Sequence, residues 1–128
     1  METKELWKIP AYPCGYIGTS HFIHKIDNVY LWFEYWNEEE KRGVAEITFI
    51  SVCAYISSSE KFSMPIAGAF RALVECTDSE WFKGFFETNP QEAQRLNLRH
   101  FAIEVEDLGL YEIIATDFKI RDIKDGPI

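Results

Sequence analysis

The chain has 128 residues and a formal net charge of −8, from 13 Lys and Arg against 21 Asp and Glu. This length is typical of one domain, so we predict a single domain over residues 1–128. A field of this sign repels phosphate backbones and anionic membrane surfaces, which argues against nucleic-acid and membrane binding. It would speed encounter with a basic protein partner. Aromatic residues make up 16% of the chain, and this surplus is a first indication of a binding face.

Three cysteines, Cys14, Cys53 and Cys76, are odd in number and widely spaced, without a CxxC motif. This pattern does not suit a disulfide framework and is typical of a reducing compartment. Residues 1–16 contain no apolar run like that of a signal peptide, and the longest apolar stretch, 47–56, is too short to span a bilayer. We therefore expect a cytoplasmic protein.

The first half of the chain predicts strands. Prolines and glycines in residues 10–18 predict a turn-rich lead-in, followed by a short strand over 20–26. Residues 28–36 are dense in β-branched and aromatic side chains, which predicts a strand and, after a hairpin loop at 37–43, a long central strand over the apolar run 44–56.

Two segments leave alternatives open. A helix over 30–42 is the alternative to the second strand, because Leu31 and Tyr35 would share one helical face. Residues 57–65 predict a loop, and 69–76 predict a strand, although Ala67, Ala69 and Ala72 keep a helix possible.

The clearest helix start lies at residues 77–80. Thr77 can cap the first turn while Glu80 reaches back to it, which is the capping-box arrangement. Trp81 and Phe85 lie one turn apart, so we predict a helix over 77–87 that turns both rings toward the sheet. Asn89-Pro90 ends it, and Pro90 can open a second short helix that runs through residue 95.

The C-terminal third alternates in the manner of a half-buried strand, with Phe101, Ile103 and Val105 inward and Glu104 and Glu106 outward. A turn at 107–109, with Gly109 at positive φ, leads to a partner strand over 110–120. The adjacent Ile113 and Ile114 indicate that both faces are covered there, or that a bulge intervenes. The predicted fold class is α+β: a mostly antiparallel sheet or half-barrel with one packed helix and a short second helix.

The sequence contains few residue patterns that could support catalysis or metal binding. His21 and His24 form HxxH, which on a strand points the imidazoles to opposite faces and lacks further ligands nearby, so we expect surface histidines, no metal and no cofactor. Cys53, Cys76 and His100 are the residue types of a Cys–His nucleophile site, but a buried structural role for the thiols is favoured. The sequence contains no phosphate-binding Gly-rich loop, nucleophile elbow or HExxH, so no catalytic residue is assigned.

Carboxylates cluster around both predicted hairpins. Acid–base chemistry needs one of a pair to be desolvated, but these residues alternate with apolar ones, which favours a solvated face. They are Glu34, Glu46, Glu104, Glu106, Asp107 and Glu112.

Strand alternation puts Trp32, Glu34 and Trp36 on one face of the second predicted strand. Exposed rings that flank a carboxylate suit a site for a basic partner. A helix that covers this face is an equally acceptable interpretation.

Residues 71–120 resemble small uncharacterised bacterial proteins. The resemblance lies in a strand, the helix start DSEW at 78–81, and the segments RHFAI at 99–103 and YEIIA at 111–115. It covers under half of the chain and implies no assigned activity.

Charge, the aromatic–acidic row and the lack of a catalytic motif favour a non-catalytic protein-interaction module that binds a basic partner, with an immunity or antitoxin-like role. The alternative is a small-ligand-binding or hydrolytic domain that uses His100 with a carboxylate in a half-barrel pocket. An outward Trp32–Trp36 row would support the first, and rings around a concave pocket would support the second.

Overall fold

The computed structural model describes residues 2–62, 65–106 and 108–124, with all of their side chains except those of 12–14, 16–19, 60, 123 and 124. Within these ranges the elements are β1 (Thr3–Lys8), β2 (Ala11–Lys25), β3 (Asn28–Asn37), β4 (Arg42–Ile50), β5 (Ala54–Ser58), a 3-10 turn (Glu60–Phe62), β6 (Ala72–Cys76), α1 (Glu80–Thr88), α2 (Pro90–Leu96), β7 (Arg99–Val105), β8 (Gly109–Ala115) and β9 (Asp117–Lys124). The strands form a five-stranded antiparallel sheet, β1-β6-β7-β8-β5, and a four-stranded one, β2-β3-β4-β9. The predicted α+β class with mostly antiparallel sheet is confirmed.

The two sheets pack face to face around the main hydrophobic core. Leu31, Phe33 and Tyr35 of β3 turn into this core, because a strand projects alternate side chains to one face. Phe101 meets them from the five-stranded sheet, with its ring centroid 5.8 Å from that of Phe49. Both helices and the segment before β6 cover the other side of the five-stranded sheet. Consequently that sheet is buried on both faces.

Helix α1 is capped by Ser79, whose side-chain oxygen accepts a hydrogen bond from the Phe82 amide at 3.0 Å. The sequence predicts Thr77 with Glu80 as the cap, and this prediction is wrong. Thr77 donates its hydroxyl to the Glu2 carbonyl at 3.3 Å, in the segment that leads into β1. The helix therefore starts later than the capping-box spacing predicts.

The apolar stripe of α1 and the start of α2 are confirmed. Trp81 and Phe85 are partly buried and pack toward the five-stranded sheet. Helix α2 begins at Pro90, and the Asn89 side chain accepts from the Glu92 amide at 3.4 Å. No helix in the described ranges is long and apolar enough to span a membrane.

Two apolar runs predicted as single strands pass from one sheet to the other. The run over 44–56 becomes β4 and β5, with a bend that includes Ser51 in the left-handed region (φ 55°). The run over 110–120 becomes β8 and β9, separated by Thr116. Both predictions are wrong for the same reason: a chain that crosses from one buried sheet to another stays apolar throughout.

The predicted turn-rich lead-in over 10–18 is also wrong, because β2 begins at Ala11 and continues through the predicted strand. Its pairing with β3 shifts register between Ala11 and Tyr16 and again between Tyr16 and Ser20. Because β2 is an edge strand, its Pro and Gly residues can be tolerated at such irregularities. Residues 28–37 form a strand and not the alternative helix, and 72–76 form a strand as predicted.

The C-terminal predictions hold best. The predicted inward residues of β7 are all buried, namely Phe101, Ile103 and Val105. Gly109 has φ 141°, and Ile113 and Ile114 are both buried because the five-stranded sheet is covered on both faces. Asp107 of the predicted turn lies outside the described residues, as do residues 63 and 64 of the predicted loop.

Candidate functional site

In the described part of the chain, no helix packs on the side of the four-stranded sheet that faces away from the core, here termed the outer face. Cross-strand pairing places its side chains next to one another. They are His21, Ile23 and Lys25 on β2, Tyr30, Trp32, Glu34 and Trp36 on β3, Arg42, Val44, Glu46 and Thr48 on β4, and Lys119 and Arg121 on β9. The row Trp32, Glu34 and Trp36 does share one face.

The two indole rings of the row differ in exposure. Trp36 is 44% exposed, and the Arg42 guanidinium lies 5.8 Å from its ring centroid. Trp32 is half-buried, and the His21 ring lies against it with 5.0 Å between centroids. Each ring is therefore fixed by a side chain from a neighbouring strand, and Trp36 leaves more of its surface open to a partner.

Glu34 lies between these rings but is only 3% exposed. The sequence predicts it as an exposed acid, and the structure corrects this. Between the pairs Tyr16↔Tyr35 and Ser20↔Phe33, β2 has three residues where β3 has only Glu34. Glu34 is not one of the buried polar groups that lack a hydrogen-bond partner in the described part of the chain. The row therefore places a mostly buried carboxylate between two indole rings.

Four cationic side chains lie on the outer face with this carboxylate. Lys25, Arg42, Lys119 and Arg121 are exposed, and none forms an ion pair with another described residue. Glu46 is half-buried between Trp32 and Arg121 in the pairing. Although the chain carries −8 overall, this face has more exposed cations than exposed acids.

A second polar cluster lies between α1 and the five-stranded sheet. His100 Nδ1 is 2.7 Å from Ser79 Oγ, and His100 Nε2 is 3.1 Å from Glu112 Oε1. Because a carboxylate only accepts, Nε2 donates to Glu112, and the Ser79 hydroxyl can donate to Nδ1 while it accepts from Phe82. Every group in this series of hydrogen bonds then has a partner. The series links the start of α1 to β7 and β8.

This cluster contains the residue types of a hydrolase but not an accessible arrangement. Ser79 is 2% exposed and His100 is 1% exposed, and the Trp81 ring packs on the imidazole at 5.0 Å. A nucleophile must reach its substrate, and this hydroxyl also caps a helix. The arrangement therefore stabilises the helix–sheet contact. Sequence reasoning included His100 with a carboxylate but missed Ser79, which would have required knowledge of the helix start.

The cysteines differ from one another. Cys76 is buried as predicted, and burial, followed by the nearby Glu112 carboxylate, raises the pKa of its thiol to about 12. Cys53 is exposed, which overturns its predicted burial, because the apolar run breaks there and the residue lies in the bend before β5. The Cys14 side chain lies outside the described residues. The buried Cys76 is unsuited to nucleophilic chemistry near neutral pH.

The predicted carboxylate cluster does not form a paired acid–base site among the described residues. Glu104 and Glu106 are half-buried and not fully solvated, and Glu112 is held by His100. His21 and His24 point to opposite faces of β2, where they contact Trp32 and Tyr55 respectively. In the described ranges, no group of three or more potential ligands is placed to hold a metal ion.

A cleft of about 840 Å³ opens at one end of the molecule, away from His100. Its lining includes Lys8, Phe70 and Arg71, and Glu38 and Glu39 of the β3–β4 turn. The Arg71 guanidinium donates to the Ala11 carbonyl at 3.3 Å. The sequence carried no signal for this cleft, because its walls come from three separate segments.

Comparison with family models, curated proteins and solved structures found no match to this chain.

Proposed function

We propose that this protein is a non-catalytic interaction module that binds a protein partner on the outer face of the four-stranded sheet. The observation that carries the proposal is the row itself, in which exposed Trp36 and half-buried Trp32 flank the Glu34 carboxylate on a face that no described helix covers. A Lys or Arg side chain of the partner would bind beside Glu34, because the rings of Trp32 and Trp36 favour a cation nearby.

The charge of the partner follows from the arrangement of charges on the face. At the centre, Glu34 selects a cationic side chain, which retains the predicted basic character of the partner at that point. At the rim, Lys25, Arg42, Lys119 and Arg121 favour acidic groups around that cation. The net charge of −8 steers a partner with an overall positive charge toward the molecule.

An immunity or antitoxin-like role in a bacterial cytoplasm suits a small acidic module of this type. This role, the compartment and the bacterial origin stay predictions. Ser79 and His100 are buried, so their cluster with Glu112 is not the hydrolytic site of this proposal.

The first test uses the isolated protein. If Glu34 serves binding and not the fold, Glu34→Gln should leave the free energy of unfolding within about 1 kcal/mol of the wild-type value. Glu87→Gln is the matched control, since Glu87 is an exposed acid on α1 and should change stability by less than about 0.5 kcal/mol. A clear loss of stability in Glu34→Gln would show that the carboxylate has a structural partner and would remove the proposal.

The second test uses the partner recovered by affinity pull-down from the native cell. Trp36→Ala should raise the off-rate, because a desolvated aromatic anchor acts after docking, and Glu34→Gln should do the same through the lost ion pair. Wild-type association should slow as salt is raised, because steering by the net charge is screened. Rates that match wild type in both variants, with Glu87→Gln as control, would place the contact elsewhere.

The cleft beside Arg71 supports one alternative, a small-ligand-binding domain. Its volume lies in the range of ligand sites, and Arg71 has donors to spare beyond its bond to Ala11. Recovery of no protein partner, together with small-molecule binding that Arg71→Gln abolishes, would favour this alternative.

A further inference from the structure

The two sheets have four edge strands, β1 and β5 in one sheet and β2 and β9 in the other. Exposed edges invite pairing with another chain, and proteins protect them with charges, Pro, irregular register or cover. Strand β1 carries Lys4, Glu5 and Lys8 and a register shift. Strand β9 carries charged residues along its length, and β2 has two register shifts. Three of the four edges therefore carry such protection.

Strand β5 lacks all of these devices. Its sequence AYISS has no charge and no Pro, and it pairs with β8 in an unbroken register. The uncharged segment is longer than the strand, because residues 51–59 contain no Asp, Glu, Lys or Arg. This is the composition of segments that add to other strands.

The free side of β5 is accessible. Ile56 is 43% exposed, and its neighbours Tyr55 and Ser57 are exposed as well. The backbone groups of these three residues have no hydrogen-bond partner beyond β8 in the described part of the chain. The Tyr55 ring is held in place from the four-stranded sheet by Phe22, at 5.2 Å between centroids. The edge is thus ordered and apolar, and no described strand pairs with its free side.

We propose that β5 pairs with β5 of a second copy of this chain in antiparallel orientation, which joins two five-stranded sheets into one continuous sheet. With the two-fold axis at Ile56, this residue meets its own copy and Tyr55 meets Ser57, so no charge opposes another. Two copies that each carry −8 repel one another over most of their surfaces, and an uncharged edge is where they can meet. Selective pairing with a strand of a different protein would need charged side chains or side-chain pockets along β5. The described residues of β5 provide neither.

The exposed apolar side chains around the edge support the same occupant. Ile26 is almost fully exposed in the β2–β3 turn, where the Val52 amide donates to the Asp27 carbonyl at 2.7 Å. Phe62 is equally exposed just after β5. Association through the edge would bring apolar groups at both ends of the strand close to the second copy, which adds apolar burial to the backbone hydrogen bonds.

Sedimentation velocity over a range of protein concentrations, at low and at high salt, tests the proposal. We expect a monomer–dimer equilibrium that strengthens with salt, because screening reduces repulsion between two acidic copies. Ile56→Lys should raise the dimer dissociation constant by about tenfold or more, because like charges then face each other across the pair. Ser57→Lys adds the charge without removing an apolar side chain, so it separates the two effects and should act in the same direction.

Amide hydrogen exchange locates the contact. Protection of residues 55–57 should increase with protein concentration in wild type and stay constant in Ile56→Lys. Ile23→Lys is the matched control, since Ile23 has similar exposure and gains the same charge but lies on β2, and its dimer should be unchanged. A monomer at every concentration and salt, a dimer unaffected by both Lys variants of β5, protection at another edge, or capture of a different protein's strand by β5 in place of its copy would each overturn the proposal.

Discussion

Replacing Ser79 with Ala removes two hydrogen bonds at once, because its side chain caps α1 at Phe82 and also contacts His100 Nδ1. Loss of an N-cap costs about 1 kcal/mol. The imidazole nitrogen is then buried without a partner, since His100 is 1% exposed, and such a group costs about 1–3 kcal/mol. We therefore expect Ser79→Ala to reduce the free energy of unfolding by about 2–4 kcal/mol.

Urea unfolding followed by circular dichroism measures this loss. With an m-value of about 2 kcal/mol/M, the midpoint should fall by roughly 1–2 M. Asn89→Ala is the matched control, because Asn89 caps α2 from an exposed position and has no buried partner. It should cost about 1 kcal/mol. Thr77→Ala should cost less, since Thr77 is exposed and does not cap the helix.

Equal losses in Ser79→Ala and Asn89→Ala would show that the His100 contact adds nothing to the cap. A larger loss in Thr77→Ala than in Ser79→Ala would restore the capping box that the sequence predicts. Either result would refute the reasoning from the structure.

Two further predictions follow from local geometry. A Cβ at Gly43 would lie 2.6 Å from the Tyr35 ring, so Gly43→Ala should destabilise the protein by about 1–3 kcal/mol in urea unfolding. Gly84→Ala, where a Cβ meets no atom within 4 Å, should instead be neutral or stabilise by up to about 1 kcal/mol. In variants that keep one cysteine each, iodoacetamide should modify exposed Cys53 well before Cys76, because Cys76 is buried and burial raises the pKa of its thiol to about 12. Equal alkylation rates below the unfolding transition would contradict the buried position of Cys76.

The parts of the fold that the sequence predicts correctly are those in which local pattern and packing agree. The alternation in β7 and the helical stripe of α1 each face a covered surface, so their periodicity reports burial directly. The runs over 44–56 and 110–120 show the limit of this reasoning. Each half of such a run is buried in a different sheet, and hydrophobicity alone cannot show where a chain crosses from one to the other.

The candidate site shows the same limit at the level of single residues. Alternation correctly places Trp32, Glu34 and Trp36 on one face, because it depends only on the strand itself. The burial of Glu34 depends on its surroundings, which include the irregular pairing of a second strand, and no local pattern reports this. His100 meets Ser79 and Glu112 only through the helix start and the β7–β8 register, so their contact required the folded chain.

The two proposed surfaces use different sheets, and this affects how they would act together. The outer face belongs to the four-stranded sheet and points away from the core, whereas the β5 edge belongs to the five-stranded sheet. Pairing of two copies through β5 would leave both outer faces open, so one dimer would carry two sites for the cationic side chain. A partner with two such side chains at the right spacing would then gain from effective concentration, without any new contact at either site. Raising the salt concentration distinguishes the two associations. It should weaken binding of the basic partner, because attraction between unlike charges is screened. It should strengthen pairing of two copies, because repulsion between like charges is screened.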